Sequence, residues 1–340
     1  MTPFNFPAKV SLAHTPTPLQ KLDRLSSQCG ADIWAKRDDL TGCGLSGNKV
    51  RKLEYVLAQA LAQKADTVIT CGKIQSNLAR ATAVACARLG LKCHLVLRFD
   101  EPGRTPQLSG NYLLDRLVGA EVEFVDGEGW DNRDQIMAER GGEMKSLGRS
   151  PYILPYGAST ALGALGVVEA CGELRDDLAQ LPGGLDEPLV IFTATGSGGT
   201  LAGLALGVRL YGLNARVVGI NVDDFAQNKR SVDAILAEAK AGLGLDVGLA
   251  PGEGYLLVDG YVGRGYALST REEFEFVAMV ARMEGLILDP VYTGKALRAL
   301  TLELKARPEE YPGRIIFLHS GGIFHLFSHV PGLEQVLSRD

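Results

Sequence analysis

Lys49 lies in Ser46-Gly47-Asn48-Lys49-Val50-Arg51-Lys52-Leu53-Glu54, a glycine-loosened turn that runs directly into a helical stretch. An amine placed there can hold an aldehyde as a Schiff base, provided that it first loses its proton. A semi-buried, electropositive setting lowers the pKa of a lysine. Arg51 and Lys52 are expected to supply charge nearby, and a helix N-terminus adds a partial positive one. The alternative is a basic helix start that faces water, the usual place for charged residues.

A second stretch, Phe192-Thr193-Ala194-Thr195-Gly196-Ser197-Gly198-Gly199-Thr200-Leu201, reads as a strand, a glycine loop and a helix start. Converging N–H groups at a helix N-terminus suit an anion. Ser197 and Thr200 can add hydroxyl donors, which makes a phosphate cup. A dinucleotide site of the Rossmann type is the competitor. It lacks the third glycine, because Leu201 stands there. A purely structural turn is the other alternative. The run Gly42–Lys49 superficially resembles a nucleotide P-loop. Asn48 separates its glycine from its lysine, and Val50 replaces the magnesium-binding hydroxyl.

Two further turns carry chemistry. Gly72-Lys73-Ile74-Gln75-Ser76-Asn77 is a strand-to-helix turn whose N–H groups suit a carboxylate. Ser76 also reads as an ordinary helix N-cap, and both roles are compatible. Asp289-Pro290-Val291-Tyr292-Thr293 follows an apolar run, and a phenol there can pass protons.

The elements that hold these turns alternate between strands and helices. Strands are expected at 67–71, 92–97, 121–125, 189–193, 217–222 and 315–318, with helices at about 76–89 and 110–118. Strands separated by helices imply right-handed βαβ units. Near-continuous apolar strands imply sheets covered on both faces. Composition shifts at Pro151–Gly157, an expected crossing between lobes, and a second crossing is expected near Asn48.

Together the motifs resemble the tryptophan-synthase-β-like (fold type II) pyridoxal-phosphate enzymes. More narrowly, they resemble the 1-aminocyclopropane-1-carboxylate deaminase and D-cysteine desulfhydrase family. The resemblance runs from Thr17-Pro18-Leu19 and Lys36-Arg37-Asp38-Asp39-Leu40 through the Lys49, Ser76–Asn77, Thr195–Thr200 and Tyr292 motifs to His319-Ser320-Gly321-Gly322. It implies an α/β fold of two lobes, with parallel or mixed sheets, flanking helices and the cofactor in the interdomain cleft. The lobes would be 1–48 with 161–340, and an inserted 49–160.

The resemblance also implies that pyridoxal 5′-phosphate is carried on Lys49, with Asn77 on its phenolic oxygen. Thr195, Gly196, Ser197, Gly198, Gly199 and Thr200 would hold its phosphate, and Thr293 or Ser320 would face the pyridine nitrogen. Ser76, with Asn77, Leu78 and Lys73, would meet the substrate, and Tyr266 and Tyr292 would face it. The chain departs from the family at two places. Thr293 stands where the deaminases carry glutamate, which favours β-elimination from D-cysteine, giving pyruvate, ammonia and sulfide. Lys73 and Leu78 flank the Ile-Gln-Ser-Asn core with side chains unusual for the family. The alternatives are 1-aminocyclopropane-1-carboxylate deamination, a cysteate sulfo-lyase using Lys73 as its anion partner, and a pyridoxal-phosphate-binding protein without turnover.

Composition narrows the partners. The 340 residues are 46% hydrophobic and 22% charged, with net charge −5 and no basic stripe, which argues against nucleic acid. The opening Met1–Pro7 lacks the apolar core of a signal peptide, and no uncharged apolar run reaches transmembrane length. Six cysteines without a CxxC pair read as free thiols, and cytoplasm is the default compartment. His325 and His329 lack a third ligand and read as structural, so no metal is expected. A small amino-acid substrate and a homodimer complete the expectation.

Overall fold

The computed structural model describes residues 4–101 and 103–338, so Met1–Pro3 of the opening segment lie outside the described residues. Its strands are β1 (Leu19–Lys21), β2 (Asp32–Lys36), β3 (Thr67–Lys73), β4 (Lys92–Arg98), β5 (Glu121–Val125), β6 (Pro151–Leu154), β7 (Leu189–Thr195), β8 (Ala215–Asn221), β9 (Leu256–Val258) and β10 (Arg314–Leu318). They form a six-stranded sheet in the order β1-β2-β10-β7-β8-β9 and a four-stranded sheet in the order β5-β4-β3-β6. The β1–β2 pair is antiparallel, and the other pairs are parallel.

The central strands are buried on both faces, β10 throughout and β7 except at Ala194. This matches their continuous apolar sequence and the helices that cover them. Two strands run further than the apolar pattern suggests. Strand β3 continues to Lys73 and β7 to Thr195, because parallel neighbours go on pairing there, Lys73 with Arg98 and Thr195 with Asn221. Pairing therefore carries polar residues into the sheets' carboxyl edges.

Strand order explains where a ligand can sit. From β3 the chain builds outward through β4 and β5, then returns to the other side with β6. From β7 it builds outward through β8 and β9, then returns with β10. Each sheet thus reverses direction beside one strand. In open parallel sheets, ligands bind beyond the carboxyl ends of strands at such a reversal. The residues after β3 are Ile74–Asn77, those after β7 are Gly196–Thr200, and those after β10 include Ser320. All three groups carry the motifs noted in the sequence.

Candidate active site

A cavity is lined by residues from both sheets' carboxyl edges and the turns beside them, including Lys49, Ser76, Asn77, Thr195, Tyr292 and Ser320. Lys49 is the first residue of the Lys49–Ala62 helix. Gly47 brings it there with φ 98°, and a Cβ on that glycine would lie 2.8 Å from the Ser320 carbonyl oxygen. The Asn48 N–H donates to the same oxygen at 3.1 Å. The Asn48 amide also donates to Thr200 Oγ1 at 2.8 Å, tying the lysine turn to the glycine loop.

Burial pulls the Lys49 pKa down to about 8; the Arg80 charge pushes the same way and Asp289 opposes it. Arg80, rather than Arg51, is the guanidinium that acts on the lysine. Arg51 points elsewhere, into ion pairs with Asp38 at 2.9 Å and Glu173 at 2.7 Å. Those carboxylates absorb the charge that the sequence had assigned to Lys49's surroundings.

Ser76 is the N-cap of the Asn77–Leu89 helix, with Oγ accepting from the Ala79 N–H at 3.2 Å. It also lines the cavity, so the cap and the site role coexist. Asn77 Oδ1 accepts from Asn111 Nδ2 at 3.0 Å. Its Nδ2 lies 3.4 Å from His325 Nδ1, and a second Nδ2 hydrogen remains for the cavity. His325 is thus a backing residue, kept neutral by a burial that pulls its pKa down to about 4. Among the described residues no cluster of His, Cys, Asp or Glu could hold a metal ion.

The glycine loop has the features of an anion cradle. Gly198 has φ 77°, and a Cβ at Gly199 would lie 2.5 Å from Lys52 Nζ. Lys52 is fully buried and donates to the Gly157 carbonyl at 3.2 Å. Burial, followed by the nearby Lys49 charge, pushes its pKa well down. Thr195 Oγ1 is buried with no hydrogen-bond partner among the described residues. A buried amine without a carboxylate, an unmatched hydroxyl and a helix start crowded with glycines fit a phosphate dianion. Lys52 follows Lys49 by three residues and so shares its helix face, a signal that the sequence did contain. Tyr156 and Gly157 also line the cavity, and they were read only as a lobe crossing.

Four expected site residues stand back from the cavity wall. Gly199 lies behind the loop that it shapes. Thr293 is fully buried, and its hydroxyl is committed to Asp289, donating to Oδ1 at 2.7 Å and accepting from the Asp289 N–H at 2.8 Å. Ser320, unlike Thr293, lines the cavity. Tyr266 reaches it through Tyr292, with their hydroxyl oxygens 2.6 Å apart. Lys73 is held against Asp223 at 3.4 Å and over the Tyr266 ring. Leu78 does line the cavity.

This geometry, an acidified lysine beside an anion cradle at two sheet reversals, suits an aldehyde cofactor that carries a phosphate. The chain belongs to the pyridoxal-phosphate-dependent enzymes, whose family model matches residues 10–321. Its fold is fold type II and its cofactor is pyridoxal 5′-phosphate. It is 40% identical to the bifunctional D-cysteine desulfhydrase/1-aminocyclopropane-1-carboxylate deaminase of Arabidopsis thaliana, over 96% of this chain and 81% of that one. It is 39% identical to D-cysteine desulfhydrase of Yersinia enterocolitica, over 95% of this chain and 96% of the relative. The crystal structure of an ACC deaminase homologue superimposes with a TM-score of 0.86 at 40% identity, covering 98% of this chain and 97% of that one. A fungal L-serine ammonia-lyase from Rhizomucor miehei, 18% identical with a TM-score of 0.66 over 96% of this chain and 99% of that one, shares the fold. Among the described residues no helix is long and apolar enough to cross a membrane.

Proposed function

We propose that the protein eliminates the β-substituent of a small amino acid, D-cysteine, to give pyruvate, ammonia and sulfide. The observation that carries this reading is the cavity wall, in which no carboxylate is present among the lining residues. Asp289 is near, but both its oxygens accept from the backbone N–H groups of Val291, Tyr292 and Thr293. Nothing in the wall therefore supplies the negative charge that would hold a pyridine nitrogen protonated. Expelling a thiolate needs less electron withdrawal than opening a cyclopropane.

Bound pyridoxal phosphate supplies the electron sink. The residues supply placement and proton transfer. Lys49 carries the cofactor and, once displaced, takes the α-proton with its Nζ. Thr195, Gly196, Ser197, Gly198, Gly199 and Thr200 form the phosphate cup with Lys52, and Asn77 and Ser320 address the ring. Ser76 and the adjoining helix N-terminus receive the substrate carboxylate. Tyr292 presents its phenol to the substrate. In this reading 1–48 with 161–340 and the inserted 49–160 are the two lobes, and the enzyme is a cytoplasmic homodimer. The buried free thiols Cys71, Cys86, Cys93 and Cys171 support a reducing compartment.

The test is a panel of D-cysteine, L-cysteine, cysteate and 1-aminocyclopropane-1-carboxylate given to the holoenzyme, with pyruvate, sulfide and 2-oxobutyrate measured. The expected result is sulfide and pyruvate from D-cysteine as the fastest reaction. Faster 2-oxobutyrate formation from the cyclopropane overturns the reading in favour of the deaminase.

A further inference from the structure

The end of β3 brings Lys73 to an unusual position. Its ammonium lies 3.2 Å from the centroid of the Tyr266 ring. The same nitrogen is 3.4 Å from Asp223 Oδ2, with the two side chains 21% and 27% exposed. Asp223 follows β8 in the other sheet, so this cluster joins the two sheets beside the cavity. Tyr266 continues the chain of contacts inward through its 2.6 Å hydroxyl contact with Tyr292, and Tyr292 lines the cavity.

A cation over an aromatic face is held by the ring's negative quadrupole. The same charge draws electron density from the phenol oxygen and makes its O–H a stronger donor. In a pair of hydroxyls either atom can donate, and the more acidic one does. We propose that Lys73 is a positioning residue that orients the Tyr266–Tyr292 pair, so that Tyr266 donates to Tyr292 and the Tyr292 hydrogen is directed into the cavity. This rests on the β-elimination reading for what lies in the cavity, but not for the orientation itself.

The proton passes through the cluster, and solvent restores it to Tyr266 when the product leaves. Tyr292 gives its hydrogen to an anion forming in the cavity, such as a departing thiolate. Tyr266 passes its own hydrogen to the Tyr292 oxygen. The resulting negative charge rests on the Tyr266 ring, beneath the ammonium. Other groups set the scale against which Lys73 acts. Burial foremost, then Asp223 and Asp289, pushes Tyr266 upward, while its bond to Tyr292 lowers it. Burial foremost, then the neighbouring Tyr266 and Tyr156, pushes Tyr292 far upward. Lys73 is the cation set against the ring face of this pair. A direct substrate contact would need its ammonium to face the cavity, and both of its observed contacts lie outside the wall.

Four variants of the holoenzyme test this. Lys73→Met should lower kcat about tenfold while KM stays within about twofold, because the acid weakens and binding does not. Lys73→Arg, which keeps a cation stacked on the ring, should restore most of that loss. In a Tyr266→Phe background Lys73→Met should have almost no further effect, since the two act as one unit. Asp223→Asn should not lower kcat, because it leaves the ammonium's field on Tyr266 uncompensated. A mere latch between the sheets makes the opposite forecast, since Asp223→Asn and Lys73→Met would then lower kcat alike.

A second readout needs no substrate. The tyrosine ultraviolet difference spectrum of the holoenzyme at neutral pH, assigned by its loss in Tyr266→Phe, should shift in Lys73→Met, because without the cation on its ring the Tyr266 O–H is a weaker donor. That shift, seen in a protein that fails to release sulfide from D-cysteine, would sink the substrate reading and leave the orientation standing. Parallel losses in Asp223→Asn and Lys73→Met, additive losses on Tyr266→Phe, a KM rise confined to cysteate, or an unmoved tyrosine spectrum overturns the proposal.

Discussion

At the base of the cavity the reactive groups lie within contiguous motifs, whereas the tyrosine side is assembled from distant chain. Ser76 is held by the N–H of Ala79, three residues on, and Lys49 Nζ lies 3.2 Å from Oδ1 of the adjacent Asn48. The tyrosine wall depends on Lys73 meeting Asp223 and Tyr266 meeting Tyr292. Its loop is pinned by the buried Lys295, which donates to the Val262 and Gly265 carbonyls at 2.5 Å and 2.9 Å. Local motifs thus specify the electrophile's anchor, while tertiary packing sets the protons around it. Substitutions at the base should accordingly abolish chemistry or cofactor binding, and those at the wall should grade it.

The largest effect is expected at the base. Lys49→Ala should remove covalent capture of the cofactor and lower turnover by about a thousandfold or more. Lys52→Met should leave capture on Lys49 intact and loosen the cofactor about 10- to 100-fold, the cost of one charge-assisted phosphate contact. Borohydride reduction followed by peptide mapping separates the two, and an adduct on Lys52 in the native enzyme would reverse their roles. The sign of the pH dependence follows from Lys49. Its neutral amine is the reactive form and its pKa is about 8, so apoenzyme should capture pyridoxal phosphate faster as pH rises through 8 and then level off. A capture rate that climbs steadily to pH 10 would mean an unperturbed lysine.

The base was legible because its chemistry is written in contiguous residues. Gly47-Asn48-Lys49, Ser76-Asn77 and the Gly196–Thr200 loop each stand out in residue type and spacing, and the last two lie at a strand's carboxyl end as the βαβ pattern requires. The wall was only partly legible. Tyr266 and Tyr292 could be named, but their order from the cavity outward depends on how the loop around residue 266 packs on Lys295. A lysine after a strand carries no sign of the aromatic face that receives it, so the contact of Lys73 with Tyr266 is not legible in the sequence. Arg80 was missed altogether. It is fully buried and donates to the Gly44 and Ser46 carbonyls at 2.6 Å and 2.9 Å and to Asn111 at 3.1 Å. No local pattern announces that a helical arginine will hold the lysine turn.

Thr293 sharpens the comparison from the wall side. Its hydroxyl is part of the Asp289 cap that starts the Thr293–Ala306 helix, with Asp289 Oδ1 also accepting the Thr293 N–H at 2.8 Å. A glutamate there meets a buried carboxylate rather than a pyridine nitrogen. Thr293→Glu should therefore destabilise the fold by about 2–4 kcal/mol, through an unmatched buried charge, before it changes reaction preference. Urea unfolding of the variant measures this. A Thr293→Glu protein with native stability and faster cyclopropane opening would show that the side chain can turn into the cavity.

The smallest effect is expected beneath the base, where Arg80 has an acidic neighbour. Asp115 is fully buried, and neither carboxyl oxygen has a hydrogen-bond partner among the described residues. Burial pushes its pKa up to about 8, and Arg80 opposes the shift without cancelling it. A raised carboxyl stays protonated in the folded chain while the unfolded chain releases its proton near the ordinary value, about 4. Its favourable contribution is therefore complete at acid pH and declines as pH rises toward 8. Asp115→Asn removes that slope and keeps the shape of the side chain. The variant should match the native protein near pH 4.5 and exceed it by about 1–3 kcal/mol at pH 8. Paired urea titrations at the two pH values measure the difference. A variant less stable than the native protein at pH 8 would mean that Arg80 holds Asp115 ionised as a true ion pair, and the base would then rest on a buried charge pair like the one that Arg51 makes with Asp38.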